Sequence, residues 1–343
     1  MKNRRWPYYT VLTLFTTACL VGGFLAGGAR ARTQATNEIL QKIHPIRQAN
    51  NSYTFIDPLL AYTLPLANGQ KDFQNLEKNI TSLINEKKKS GKLSDFSFFF
   101  NESRGSRRLG INETAKYTPA SLLKVVIMIT YFKEAETQPT ILDQKLLYTD
   151  VINNIATPTE FDSSSALALN TSYTVEDLIE KMIIDSDNGA KSLLLSAIDS
   201  ERLDRAFTDL HLNSPLNEST DTPYTLSPRN YSLFFRVLYN ATYLSPEMSE
   251  KALSILSQVT FKDGLVAGVP AAISIAHKFG ENVTSDSSGA ITGFELHDCG
   301  IVYHTQTPYF ICIMTKGKDF DELKDIIKTV SGFVYDDVTK NSL

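Results

Sequence analysis

Cysteine is scarce in this 343-residue chain: Cys19, Cys299 and Cys312 are all there is, with no C-x-x-C pair. That excludes a dithiol redox motif and a zinc cage built on cysteine pairs. A basic surplus is missing too. Lysine and arginine number 34 against 38 aspartates and glutamates, for a formal net charge of -4, which leaves no electrostatic footprint for nucleic acid. The five histidines, His44, His211, His277, His297 and His304, show no H-E-x-x-H or other ligand spacing, so neither a metal nor another cofactor is expected. A G-x-S-x-G elbow is absent, which argues against an α/β-hydrolase. No internal repeat is evident.

What is present begins at the N-terminus. Lys2, Arg4 and Arg5 precede an almost uncharged stretch from Trp6 to Ala29, and Arg30 and Arg32 follow it. The stretch is long enough to span a bilayer, and the basic start predicts a cytoplasmic N-terminus with the rest of the chain outside. A cleaved signal ending near Ala29 to Ala31, giving a secreted protein, is the alternative. A lipoprotein site at Cys19 fits poorly, because Thr16 stands where a leucine-like residue belongs. Three regions are therefore expected: residues 1–32 as anchor or signal, 33–70 as a stalk needing no regular element, and 71–343 as one catalytic-sized domain.

Within the last region, Phe73, Leu76, Ile80, Leu83 and Ile84 have helical spacing, and the run ends in Lys87, Lys88 and Lys89 before Gly91. Strand-like runs DFSFFF and RRLGINETAKYT follow. LLKVVIMITYF is apolar nearly all round, so as a helix it must be central and buried. Thr174 with Asp177, Ser227-Pro228 and Ser245-Pro246 are helix-start signatures, predicting helices from Val175, Pro228 and Pro246. The final third returns to strands, ISIAHKF, ITGFELHD, GIVYHT and YFICIMT, and closes with a helix through DELKDIIKTV. Strands at both ends around a helical middle predict an α+β fold, with an antiparallel sheet packed by helices and a helical subdomain. Cys299 and Cys312 flank a hairpin; a disulfide and two buried thiols both fit.

Three short motifs carry chemistry. Ser121-Leu122-Leu123-Lys124 places a hydroxyl and an amine one helical turn apart, so the amine can take the hydroxyl proton. Lys124 sits on an otherwise apolar helix, where an unpaired ammonium is costly, so a polar pocket must meet it. Ser186-Asp187-Asn188 follows the helix carrying KMIID. Lys278-Phe279-Gly280 ends a strand, with a charge to meet an anion and a glycine that lets another backbone approach. Each alone occurs by chance.

Together and in this order they resemble S-x-x-K, S-D-N and K-T-G of the class A β-lactamase and penicillin-binding protein superfamily. SPRNYSLFFRVLYNATYLSPEMSEKALSIL, TFKDGLVAGVP and HDCGIVYHTQTPYFICIMTKG also look like matching segments, so the likeness covers roughly Phe73 to Val334. It implies a β-lactamase/DD-peptidase-like fold in which Ser121 is acylated and Lys124 assists as base. Ser186 would relay a proton to the leaving nitrogen, and Asn188 would hold the substrate amide. Lys278 would bind the substrate carboxylate and lower the pKa of Lys124. Backbone N–H groups of Ser121 and Glu281, just after Gly280, would form the oxyanion hole. Asp187 would support its loop.

The sequence departs from that pattern twice. Phe279 replaces the middle threonine, removing a hydroxyl used for carboxylate binding. If Leu216-Asn217 match the Leu-Asn of Glu-x-x-Leu-Asn, the deacylating glutamate is replaced by Asn213, and an amide is not a base. Glu218 is the nearby candidate for that role. The resemblance therefore implies a serine hydrolase acylated by β-lactams and hydrolysing them, slowly if no glutamate serves. The alternatives are a D-alanyl-D-alanine carboxypeptidase or transpeptidase acting on peptidoglycan stem peptides, and an idle sensor of β-lactams or cell-wall peptides. A monomer attached to the membrane by its N-terminal segment is expected in each case.

Overall fold

A computed structural model of the chain describes residues 44–48, 52–63, 73–103, 107–155, 167–215, 224–286 and 288–341. The chain divides into two compact units, residues 1–46 with 61–70, and residues 47–60 with 71–343. In the stretch expected to need no regular element, strands β1 (His44–Arg47) and β2 (Leu59–Thr63) pair with each other. The apolar stretch from Trp6 to Ala29, with Cys19, lies outside the described residues. Among those described, no helix is long and apolar enough to cross a membrane.

The second unit is built on a five-stranded antiparallel sheet. Its strands are β3 (Leu93–Glu102), β4 (Arg108–Ile111), β7 (Ile275–Ser285), β8 (Ile291–Val302) and β9 (Tyr309–Gly317), in the order β4-β3-β9-β8-β7. The N-terminal pair thus joins the C-terminal three, as the strand–helix–strand order of the sequence predicts. A separate pair, β5 (Lys145–Tyr148) and β6 (Thr171–Thr174), belongs to the helical part.

Period-two alternation divides the sheet into two faces. Phe100 of β3 and Tyr309 of β9 share one face, where Phe73 stacks edge-on against Phe100 at the start of helix α1 (Gln74–Lys89). Phe99 and Phe310 lie on the other. Between the two sequence-distant halves of the sheet run helices α2 (Lys124–Ala135), α3 (Asp150–Ile155), α4 (Val175–Ile184), α5 (Asn188–Ala197), α6 (Ser200–Asp209), α7 (Pro228–Tyr239) and α8 (Pro246–Leu256). From α7, Phe235 meets Phe310 at 5.7 Å. The chain closes with α9 (Phe320–Asn341), which buries Leu323, Ile326, Ile327, Val330 and Val334.

Local chemistry accounts for the helix starts. Thr174 and Asp177 form a reciprocal capping box, and the hydroxyls of Ser227 and Ser245 accept from the amides of Asn230 and Met248. Helix α2 is buried along almost its whole length, with Lys133 exposed. The segment of residues 54–56 is tied down as well. Glu250 on α8 accepts the amides of Thr54, Phe55 and Ile56 at 2.6, 2.9 and 3.0 Å.

Three strand boundaries differ from the sequence expectation. RRLGINETAKYT forms a strand only to Ile111, because Asn112 turns into the left-handed region (φ 50) and its side-chain amide donates to Phe96 O. ITGFELHD and GIVYHT are not two strands but parts of the single strand β8. The Asp-Cys-Gly sequence looks like a turn, yet a Cβ on Gly300 would lie 2.4 Å from Ala276 O, so glycine here serves a tight ladder. Strand β7 also continues past Gly280 to Ser285. Cys299 and Cys312 face each other across β8 and β9 and form a disulfide, one of the two states the sequence left open.

Candidate active site

Ser121 sits in a 3₁₀ turn, Ala120–Leu123, that leads into α2, rather than on the α-helix itself. Three residues per 3₁₀ turn still stack positions i and i+3, so the Ser121-to-Lys124 spacing keeps its meaning. Ala120, just before the serine, is held at φ 49, a region costly for any residue with a Cβ. The turn is fixed from several sides. The fully buried Tyr231 hydroxyl donates to Leu122 O at 3.0 Å. Tyr117 and Leu226 exchange both backbone hydrogen bonds at 2.9 Å. The Thr315 amide donates to His297 Nδ1 at 3.3 Å, so the ring proton is on Nε2, which donates to Thr118 O at 3.1 Å.

Lys124 is 1% exposed, and its amine meets the Ser186 carbonyl and, at 3.1 Å, the Ser186 hydroxyl. Thus the polar pocket that a lysine on an apolar helix requires is supplied by the Ser-Asp-Asn segment. Ser186 itself is left-handed (φ 58). Asp187 caps α5, its carboxylate accepting the Ala190 amide at 2.7 Å, and Asn188 is the first residue of that helix. The supporting part expected of Asp187 has this capping bond as its physical content.

The third piece comes from β7, the edge strand of the sheet. A Cβ on Gly280 would lie 2.8 Å from Pro119 O, 3.1 Å from Leu122 Cγ and 3.3 Å from Leu122 N. Only a residue without a side chain lets this strand press on the turn that carries Ser121. Glu281 follows on the same strand. Lys278, opposite Cys299 in the β7–β8 register, is fully buried, and its amine has no hydrogen-bond partner.

Electrostatics link these pieces. Burial, then the charges of Lys278 and Lys191, drive the Lys124 pKa well below the usual lysine value, against the opposing pull of Asp187 and Glu281. Burial also lowers Lys278, to about 7, while Asp298, Glu281 and Asp185 resist. Ser121, Lys124, Ser186, Asn188, Lys278, Gly280 and Glu281 therefore sit on elements that meet at the Ser121 turn. Glu218 and the Leu216-Asn217 pair lie outside the described residues. Asn213 is described, and its carbonyl accepts the Tyr224 hydroxyl at 2.8 Å. Among the described residues no group of three or more His, Cys, Asp or Glu could hold a metal ion.

Sequence reasoning missed the residues that hold the turn. His297 and Tyr231 touch its backbone, and Asp298 receives both His277 Nδ1, at 2.8 Å, and the Leu265 amide, at 2.9 Å. For Tyr231 a signal existed: it lies on the buried stripe of an amphipathic helix, and a buried tyrosine hydroxyl needs an acceptor. For Asp298 there was none, since its partners come from other strands and loops.

The model of the β-lactamase enzyme family matches residues 75–338. No curated protein matches significantly. Among solved structures, PBP-A is similar over 80% of this chain and 99% of its own, at 21% identity and a TM-score of 0.64. A β-lactamase from Xanthomonas campestris is similar over 76% and 98%, at 19% identity and a TM-score of 0.63. A class A β-lactamase from Mycobacterium abscessus is similar over 77% and 99%, at 18% identity and a TM-score of 0.63. At those identities the structures establish a shared β-lactamase/penicillin-binding fold, and the family match over most of the sequence establishes descent: this chain belongs to the β-lactamase enzyme family.

Proposed function

We propose that the chain is a serine acyl-transfer enzyme that opens β-lactam rings through an acyl-enzyme at Ser121. The reading rests above all on the buried Lys124 amine, whose pKa is driven down by burial and by Lys278 and which is hydrogen-bonded to Ser186. A lysine kept toward its neutral form is a base at neutral pH. In the proposed step the Ser121 oxygen bonds to the ring carbonyl carbon and the C–N bond breaks. The hydroxyl proton passes to Lys124 and through Ser186 to the departing nitrogen. Backbone N–H groups of Ser121 and Glu281 face the developing oxyanion, and Asn188 orients the substrate amide. Water then attacks the ester carbonyl, releasing the opened acid and restoring Ser121.

A second reading shares the first half of this cycle. If Leu216-Asn217 match the family's Leu-Asn, Asn213 takes the place of the deacylating glutamate and the acyl-enzyme should persist, which suits a D-alanyl-D-alanine peptidase acting on peptidoglycan. One solved relative is a mutant of PBP-A, as an acyl-enzyme complex with penicillin G. We place the domain outside the cytoplasmic membrane, as a monomer held by the stretch from Trp6 to Ala29. A time course with a fluorescent penicillin tests the proposal. Labelling that Ser121→Ala abolishes supports it. Labelling that then fades, with release of hydrolysed drug, identifies the lactamase, and persistent labelling with D-alanine release from a stem peptide identifies the peptidase. An intact protein that takes no label overturns both.

A further inference from the structure

Phe279, the residue between Lys278 and Gly280, is stacked on Phe261, ring centroids 4.4 Å apart at 24°. The two rings are 1% and 0% exposed. Phe261 is fixed next to the Ser186 loop, because the amide and hydroxyl of its neighbour Thr260 both donate to Ile184 O at 3.0 Å. The Lys278 amine lies 4.1 Å from the Phe279 centroid. It exposes no surface and makes no hydrogen bond.

This arrangement is unusual for a lysine meant to receive an anion. A carboxylate pairs with an ammonium at hydrogen-bond distance, along an N–H direction. Here the side occupied by the Phe279 ring offers only a π face, which attracts a cation and gives an incoming carboxylate nothing to bond. Phenylalanine also brings no hydroxyl donor of its own. From that side, reaching Lys278 would mean lifting the Phe279 ring off its stack with Phe261. An acyl donor with a neutral group beside the scissile amide makes no such demand.

Resting on the acyl-enzyme reading above, we infer that the Phe261–Phe279 stack is the specificity determinant of this site. It seals Lys278 from substrate and selects acyl donors that bear no carboxylate next to the bond being broken. Lys278 then acts on Lys124 rather than on the substrate.

Penicillin G and its methyl ester, each incubated with the full-length protein, test this, with acylation of Ser121 followed by mass spectrometry over time. The expected result is an ester that acylates at least as fast as the acid, and a Phe279→Thr protein whose acid-to-ester rate ratio rises about tenfold. Phe261→Leu, which removes the other ring and introduces no hydroxyl, should shift the ratio in the same direction by less. An acid that acylates the unmodified protein about tenfold faster than the ester overturns this inference and leaves the acyl-enzyme reading standing. Absence of Ser121 acylation by either compound overturns both.

Discussion

Replacing Gly280 with alanine separates the packing of this site from its chemistry. The added methyl would sit 2.8 Å from Pro119 O and 3.1 Å from Leu122 Cγ, whereas ordinary contact begins near 3.4 Å. The leucine side chain can turn aside, but the carbonyl belongs to the backbone two residues before Ser121 and can yield only if the turn moves. About half an ångström of displacement is needed, and overpacking of this kind costs about 1–3 kcal/mol. For a domain of this size, Tm should fall by about 2–4 °C per kcal/mol. The rate should suffer separately. A misplacement near 1 Å costs about a hundredfold, so about half of that shift predicts roughly a tenfold slower acylation. Thermal melting and stopped-time labelling with a fluorescent penicillin measure the two effects. Gly289→Ala is the control: its φ of +84 makes alanine strained, but no atom lies within 4 Å of the new Cβ. That variant should lose some stability and label at the parent rate. If Gly280→Ala melts and labels like the parent protein, β7 does not set the position of the Ser121 turn, and the reasoning fails.

Three further outcomes follow from other parts of the structure. Lys278 has a folded pKa of about 7 against 10.5 for an ordinary lysine, so between those pH values the unfolded chain binds more protons and stability rises with pH. Its burial costs roughly 3–5 kcal/mol at pH 7 and almost nothing near pH 10.5. Lys278→Met should therefore stabilise the protein in urea titrations at pH 7 and lose that advantage at pH 10, while acylation slows. Asp187→Ala removes the cap of α5, with an expected loss of about 1 kcal/mol, and by freeing Asn188 it should lower the labelling rate more than the melting temperature suggests. Glu250→Ala leaves three amides of residues 54–56 without their acceptor, which should cost about 2–4 kcal/mol and expose that segment to limited proteolysis without altering the labelling rate.

Much of the helical part was legible because its signals are local. Thr174 with Asp177, and the Ser-Pro pairs at 227 and 245, announce helix starts through hydrogen bonds that reach only three residues. The continuous apolar run after Lys124 could belong only to a buried helix. The order of Ser121, Lys124, Ser186 and Lys278 in the chain, which the family resemblance interprets, pointed to segments that the fold brings together. Where pairing depends on distant strands, the sequence was a poorer guide. The Asp-Cys-Gly of β8 resembles a turn until Asp298 is seen to accept from His277 and Leu265, and Gly300 to face Ala276. Nor could a sequence disclose that Phe261 and Phe279, eighteen positions apart, stack on each other while the Phe279 ring meets the Lys278 amine.

The two buried lysines also explain why the motifs lie so far apart in the chain. Lys124 and Lys278 are 154 positions apart, and the charge of Lys278 lowers the Lys124 pKa only because a helix from the middle of the chain and a strand from its end meet at one turn. A proton shared between two such amines goes to the one with more carboxylate support. Asp298, Glu281 and Asp185 act on Lys278, whereas Lys124 has Asp187 and Glu281 opposed by two lysine charges. On the proposed acyl-enzyme reading, that balance favours the proton on Lys278 and leaves Lys124, one turn from the serine, to act as the base. If the aromatic stack keeps substrate carboxylates away from Lys278, that division persists when a substrate is bound, because no new anion arrives to draw the proton more tightly or to compete with Asp298. The substitution of phenylalanine in the third motif and the preserved amine of the first are then two parts of one electrostatic arrangement.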